Sequence, residues 1–255
     1  MSIYTVAIQK GGTGKTTTAA TLAQAAAYKG KSCLAIDLDP QGNLTYSLAA
    51  DPTQPGSKDL LHGTPAADLL QHSPQGMDVI PASWDLAAEA SAAGSARRLQ
   101  NALEPVRDLY DIIIIDTPPT AGELQYNALQ AANGLVIPLL ADAYNVQALY
   151  QITDTAAKIR ESNPQLQIAG LLLTQYDGRS IIARQMRGTI IQCAASLSAP
   201  FLGSVRAAVA VKEAAALQKS LYQYAPKSKP AQDYLEIFAA MTAAEEMPQF
   251  IKNRR

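Results

Sequence analysis

The 255-residue sequence predicts an α/β fold, a mostly parallel sheet with helices on both faces, and three observations predict it. Short apolar runs alternate with longer segments of helical periodicity. A glycine-rich turn joins the first apolar run directly to the first helical segment. Two later apolar runs end in aspartate, and the carboxyl ends of parallel strands are where such sheets collect ligands.

In order along the chain, residues 3–9 read as the first strand and residues 15–29 as a helix. Alanines at 19, 20, 23 and 25–27 let that helix lie close on the sheet, and Lys29-Gly30-Lys31 ends it with cations and a glycine. A second strand spans 32–37. Residues 40–75, with Pro52, Pro55, Gly56 and Gly63, read as loops and short helices. Residues 77–81 form another strand, a helix near 93–106 follows, and 111–116 is a buried-type strand stopped by Pro118-Pro119. Strands at 134–139 and 168–174 flank a helix at about 144–162, and helices near 179–197, 207–220 and 231–247 close the chain. There are no internal repeats. The length suits one open sheet, so residues 1–255 are expected to form a single domain.

The turn after the first strand reads Lys10-Gly11-Gly12-Thr13-Gly14-Lys15-Thr16-Thr17. Glycines let a backbone bend tightly and aim successive N–H groups at phosphate oxygens, and the start of a helix adds its positive end at the same place. Lys15 is placed to reach the β- and γ-phosphates of a nucleotide, and the Thr16 hydroxyl to reach Mg²⁺. The common loop pattern has glycine where this chain has Gln9, and it has no use for a second lysine at its front, which here is Lys10.

These residues resemble the deviant Walker A class of P-loop ATPases and, within it, the ParA/Soj-type partition proteins. Asp37-Leu38-Asp39-Pro40-Gln41-Gly42-Asn43 is similar to that family's second motif, Ile112–Asp116 to its Walker B strand, and Leu171–Arg179 to its strand and loop near the adenine. A weaker likeness lies at Gln223–Pro226. Thr13 departs from the commoner valine. The resemblance implies a P-loop NTPase fold and slow ATP hydrolysis with Mg²⁺. It also implies a homodimer formed face to face on ATP, with Lys10 of each subunit reaching the other's phosphates. Asp116 can hold Mg²⁺ through its water shell, since this ion takes few protein carboxylates. Division of labour between the other two acids rests mainly on the resemblance: Asp39 orients the attacking water and Asp37 supports the Mg²⁺ shell.

The formal net charge is −1, which by itself argues against a strongly basic nucleic-acid binder. Its distribution is uneven: residues 1–178 carry 10 Lys/Arg against 17 Asp/Glu, and residues 179–255 carry 11 against 5. Arg179, Arg184, Arg187, Arg206, Lys212 and Lys219 lead the basic set, followed by Lys227, Lys229 and the tail Lys252, Arg254 and Arg255. Such residues are often only the solvated face of helices. The resemblance implies non-specific double-stranded DNA as their partner in the ATP dimer, a ParB-like adaptor as activator, and a nucleoid-associated place in the cytoplasm. Contacts of that kind go to phosphates and weaken with salt.

Rival readings carry their own requirements. A MinD-like membrane-associated ATPase needs an amphipathic tail, and Met247–Arg255 offers Phe250 and Ile251 beyond Pro248. An iron–sulfur or metal carrier needs paired cysteines, whereas Cys33 and Cys193 stand alone; His62 and His72 are likewise isolated. A small-molecule ligase or kinase needs a second substrate pocket, for which no residues stand out. The first strand begins almost at once, so neither a secretory leader nor a helix-turn-helix extension is expected, and no apolar run approaches a membrane span.

Overall fold

The computed structural model describes residues 2–90 and 96–246. Its elements are β1 (Ser2–Val6), α1 (Lys15–Tyr28), β2 (Cys33–Asp37), α2 (Asn43–Ser47), α3 (Ser57–Leu61), β3 (Gln71–His72), β4 (Asp78–Ile80), α4 (Arg98–Leu103) and β5 (Ile112–Asp116). After these come α5 (Glu123–Ala131), β6 (Gly134–Leu139), α6 (Ala143–Arg160), β7 (Gln167–Tyr176), α7 (Ile181–Ser196), β8 (Phe201–Arg206), α8 (Val209–Ala216), α9 (Leu221–Tyr224) and α10 (Lys229–Glu246). Eight strands form one sheet in the order β3-β4-β2-β5-β1-β6-β7-β8, parallel except for the β3 edge.

Strand side chains alternate between the two faces, and both faces are covered. Ile113 and Ile115 of β5 enter a core shared with Leu34, Ile36, Leu135 and Ile137 and roofed by α3 to α7. Ile112 and Ile114 enter the opposite core, where Tyr4, Val6 and Val136 meet α1, α2 and α8 to α10. Ala19, Ala23, Ala25 and Ala26 of α1 are buried there, and their small side chains let α1 sit tightly on the sheet beside α10. Pairing of β1 with β5 and β6 brings the ends of the central strands to one edge. The glycine-rich turn and the loops after β2 and β5 therefore meet there.

Several sequence expectations need correction. Residues 201–206 form a strand, β8, where none is predicted. It is an edge strand carrying Gly203 and Ser204, paired with β7 alone among the described residues, so its apolar signal is short and broken. The β3 edge strand is only two residues long, and α5 follows a Pro-Pro-rich turn that hides its start. The helix expected over 207–220 is the shorter α8, followed by a separate turn, α9. The helix expected near 93–106 is realised as α4, its first residues lying outside the described ones. The basic and apolar tail, Met247–Arg255, also lies outside the described residues.

Candidate nucleotide site

The loop from Gln9 to Gly14 leaves β1 at the carboxyl edge of the sheet and turns into α1. Gly12 and Gly14 adopt left-handed backbone conformations (φ 75° and 83°), which a side chain would strain. A Cβ at Gly11 or Gly12 would meet nothing within 4 Å, so the loop surface is open on the ligand side. At Gly14 a Cβ would press on Thr174 at 3.3 Å, so the loop is seated on β7. Gly14 caps α1 without any side-chain hydrogen bond, and no acid occupies the first turn. The first N–H groups of α1 are thus available to an anion. Lys15 opens the helix with its side chain 6% exposed, and its Nζ donates to the Lys10 carbonyl at 2.9 Å. Burial lowers its pKa, against the attraction of Asp116 and Asp39. A phosphate is the kind of partner that such a desolvated cation lacks.

Asp37 and Asp116 lie opposite one another on neighbouring parallel strands, both fully buried. Asp37 is well satisfied. One oxygen accepts from the Thr45 amide (2.8 Å) and hydroxyl (2.7 Å), and the other accepts from the Asp39 amide at 3.0 Å. Burial still pushes its pKa up to about 6, opposed by those hydrogen bonds and reinforced by Asp39. Asp116 is the opposite case: neither carboxylate oxygen has a hydrogen-bond partner within normal geometry. Burial and then the Asp37 charge raise its pKa well above the carboxylate range, although Thr16 lies close enough to favour the charged form. Asp39, at the mouth, accepts from the Gln41 amide at 3.0 Å and is 6% exposed.

An orphaned buried carboxylate beside a threonine hydroxyl and a desolvated lysine, under an open ring of glycines, fits Mg²⁺ with a nucleotide's phosphates. Thr16 and Asp116 are the residues that would hold the ion's shell. Asp37 acquires a role the sequence did not disclose, that of fixing α2 and the backbone of Asp39. No sequence signal separates it from Asp116, since both end buried strands.

Lys10 does not join Lys15. Its Nζ reaches Asp142, 3.1 and 3.3 Å from the two oxygens, and lies 5.4 Å from the centre of the Tyr144 ring. Asp142 is also the N-cap of α6, accepting from the Asn145 amide at 2.9 Å. Burial pushes the Asp142 carboxyl up, but hydrogen bonds from Asn145 and Lys10 more than offset this and hold it below the usual carboxylate range.

Beside the loop is a cavity of about 350 Å³, lined by Gly14, Thr17, Val205, Val209, Lys212 and Tyr234 among others. It is large enough for a base and sugar next to the phosphate cradle. Its lining includes Thr174 and Gln175 of the Leu171–Arg179 segment, together with residues of β8 and the start of α8. Tyr176 packs against the core, and Asp177 is paired with Arg179. Tyr222 stacks on Tyr28 with ring centroids 5.2 Å apart, and the Tyr234 hydroxyl lies 3.3 Å from that of Thr18.

The basic residues after position 178 do not make one uniform strip. Arg179 is held by both oxygens of Asp177, and Arg206 by both oxygens of the nearly buried Asp233. Lys212 faces the cavity, and Lys219 lines a small cleft between α1 and α8. Arg184 donates to the Gly178 and Arg179 carbonyls, while Arg187 lies over the Phe201 ring at 5.3 Å. Neither Arg184 nor Arg187 is paired with a carboxylate by any of the ion pairs found among the described residues. Lys252, Arg254 and Arg255 lie outside those residues. Cys33 and Cys193 are both buried and free, and no described helix is long and apolar enough to cross a membrane.

The AAA domain family model matches residues 1–168. The chain is 38% identical over 232 residues to the chromosome-partitioning ATPase Soj of Thermus thermophilus, covering 90% of each. It is 35% identical over 255 residues to the sporulation initiation inhibitor protein Soj of Bacillus subtilis, covering 94% of this chain and 98% of that one. Among solved structures, cobyrinic acid a,c-diamide synthase of Mycobacterium smegmatis with bound ATP analogue and magnesium superposes with a TM-score of 0.81. It is 31% identical and covers 96% of both chains. MinD of Pyrococcus horikoshii with Mg-ADP superposes at 0.80 with 21% identity, covering 100% and 99%, a likeness of fold alone.

Proposed function

The chain belongs to the AAA domain family, in its ParA/Soj-type branch of deviant Walker A ATPases, and from that premise we propose that it is a DNA-partitioning switch. In this reading the ATP-bound chain pairs face to face with a second copy, and the pair binds DNA without sequence preference. Hydrolysis, accelerated by a partner protein, releases it. Relatedness to Soj over nine-tenths of the chain supports the partitioning role. The observation that carries the switch is Lys10: a second lysine at the front of a complete phosphate cradle, engaged with Asp142 rather than with the cradle itself.

The chain's own residues divide the work as follows. Backbone N–H groups of residues 11–16 and the Lys15 ammonium bind the phosphates. Thr16 and Asp116 would hold Mg²⁺, which when bound would neutralise phosphate charge and polarise the bond to be broken. Asp39, fixed through its amide by Asp37, orients water against the γ-phosphate. Lys10 must give up Asp142 to reach across to a second subunit's phosphates. Exchange of one anionic partner for another costs little when the first pair is only partly buried, with side-chain exposures of 27% and 38%. The ATP state is thus poised to persist until hydrolysis removes the γ-phosphate.

The likeness to a diamide synthase bound to an ATP analogue and magnesium supports ATP and Mg²⁺ use by this chain. The decisive experiment is binding to random-sequence duplex DNA with ATP, ADP or no nucleotide across a salt series, with Lys10→Ala as control. Tight, salt-sensitive binding confined to ATP and lost in the variant is the expected result. Equal binding in all states, or none, overturns the DNA switch while leaving the ATPase.

A further inference from the structure

Gln9 stands where the common P-loop has glycine, and its side chain makes contacts that no glycine can. Its Nε2 donates to Gln125 Oε1 on α5 at 3.1 Å and to Thr155 Oγ1 on α6 at 2.9 Å. Gln125 is fully buried. The Thr155 hydroxyl donates its proton to the Gln151 carbonyl at 3.0 Å, which turns its oxygen lone pairs towards Gln9. The next residue, Lys10, grips the same helix at Asp142. Asp142 and Thr155 are 13 residues apart, about 20 Å along a helix rising 1.5 Å per residue. Two consecutive loop residues therefore hold α6 at two heights, Gln9 in its C-terminal half and Lys10 at its N-terminal end.

Gln125 adds a second connection. It lies in the first turn of α5, which begins directly after the Thr117–Gly122 segment that follows Asp116. The front of the P-loop is thereby tied to the segment that leaves the Asp116 strand. One polar atom on this seam is not saturated: Gln125 Nε2, on a fully buried residue, lacks a hydrogen-bond partner. Buried amides rarely stay unpaired in a finished arrangement.

We propose that Gln9 is a positioning residue for Lys10: by fastening the front of the loop between α5 and α6 it directs the Lys10 side chain outward along α6, towards a second subunit, rather than down onto its own phosphates. This rests on the reading of Lys10 as the lysine that crosses between subunits. Glycine at position 9 would leave the loop's front free to rotate and Lys10 without a fixed direction.

The test measures MgATP-dependent self-association by sedimentation, binding of a fluorescent ADP and thermal stability, in the full chain, for Gln9→Ala, Thr155→Val, Thr155→Ser and Lys10→Ala. Gln9→Ala and Thr155→Val are expected to weaken self-association about tenfold, the scale of one buried hydrogen bond. ADP affinity stays near wild type in both while Tm falls by no more than a few degrees, and Thr155→Ser, which keeps the hydroxyl, restores association to within about twofold. Wild-type association in both variants, with Lys10→Ala defective, overturns the positioning role and leaves the switch standing. Parallel loss of ADP affinity and Tm also overturns it, since that is a general structural defect. Normal association of Lys10→Ala overturns both readings together. Should Gln9→Ala fail to fold, the Thr155 pair decides the question.

Discussion

The phosphate cradle at the centre of the sheet and the basic segment beyond residue 178 are built on opposite terms. In the cradle every charged group is placed by buried backbone: Lys15 by the start of α1, Asp37 and Asp116 by adjacent strands in register, Asp39 by the amide that Asp37 accepts. Beyond residue 178 the charges sit on long side chains at helix surfaces, and two of the six candidate DNA contacts are already taken up by local carboxylates. The difference teaches that a charge held by strand register keeps its role in any state of the chain, whereas a surface charge has a role only once its neighbours are known.

The largest expected effect tests the cradle. Asp39→Ala should lower ATP turnover about a thousandfold, as loss of a water-orienting carboxylate does, while ATP affinity changes by no more than about threefold. Near wild-type turnover, read by phosphate release, would transfer the role elsewhere. Lys15→Ala should weaken MgATP binding by about a hundredfold, since a charge-assisted contact in a desolvated site contributes about 2–3 kcal/mol. Unchanged affinity in a titration calorimeter would remove the cradle assignment altogether.

The basic segment should divide under the same treatment. Arg206→Ala leaves Asp233, 9% exposed, without its partner, so it should lower Tm by several degrees. The salt dependence of DNA binding should not change. Arg184→Ala with Arg187→Ala should do the reverse: little change in Tm, and a log–log salt slope shallower by about 2. A stability loss in the second pair, or a slope change in the first, would erase the distinction between the two kinds of arginine.

The smallest effect is a pH dependence confined to the nucleotide-free chain. Burial raises the Asp37 pKa to about 6 and the Asp116 pKa well above the ordinary range, so between the unfolded and folded values the native state binds more protons than the unfolded one. Their contribution is therefore greatest below the unfolded pKa and is lost as pH rises through the folded value. Tm should fall by a few degrees from about pH 5 to about pH 7 without nucleotide, and this slope should flatten with saturating Mg·ADP. A slope that is the same in both conditions would mean that these acids do not meet the metal. Glu89, held low by His62 and then Arg98, acts in the opposite sense only at more acidic pH.

How much was legible varies with the kind of signal. Gly11–Thr17 announces its own geometry, because only glycines permit the backbone that Gly12 and Gly14 adopt and because a helix must start at Lys15. The β5 run Ile112–Ile115 ending in Asp116 was equally plain, since a buried parallel strand needs apolar residues on both faces. By contrast, β8 carries little sequence signal: an edge strand with a glycine and a serine shows half the usual pattern, yet it lines the cavity beside the phosphate loop. The short α5 was hidden by the turn before it, and with it went any view of Gln125.

The sequence alone determined the sheet's class, the phosphate loop with its two lysines, and which acids end strands. These are local statements about backbone shape and burial, and a few neighbouring residues suffice to make them. Only tertiary structure decided that Lys10 rests on Asp142, that Asp37 is satisfied while Asp116 is not, that Gln9 is fastened between α5 and α6, and that Arg206 belongs to Asp233. Each of these joins groups between 27 and 146 positions apart, or depends on which of two similar carboxylates finds donors nearby. Such choices are made by packing, which sets distance and desolvation together, and no local pattern of residues carries that information.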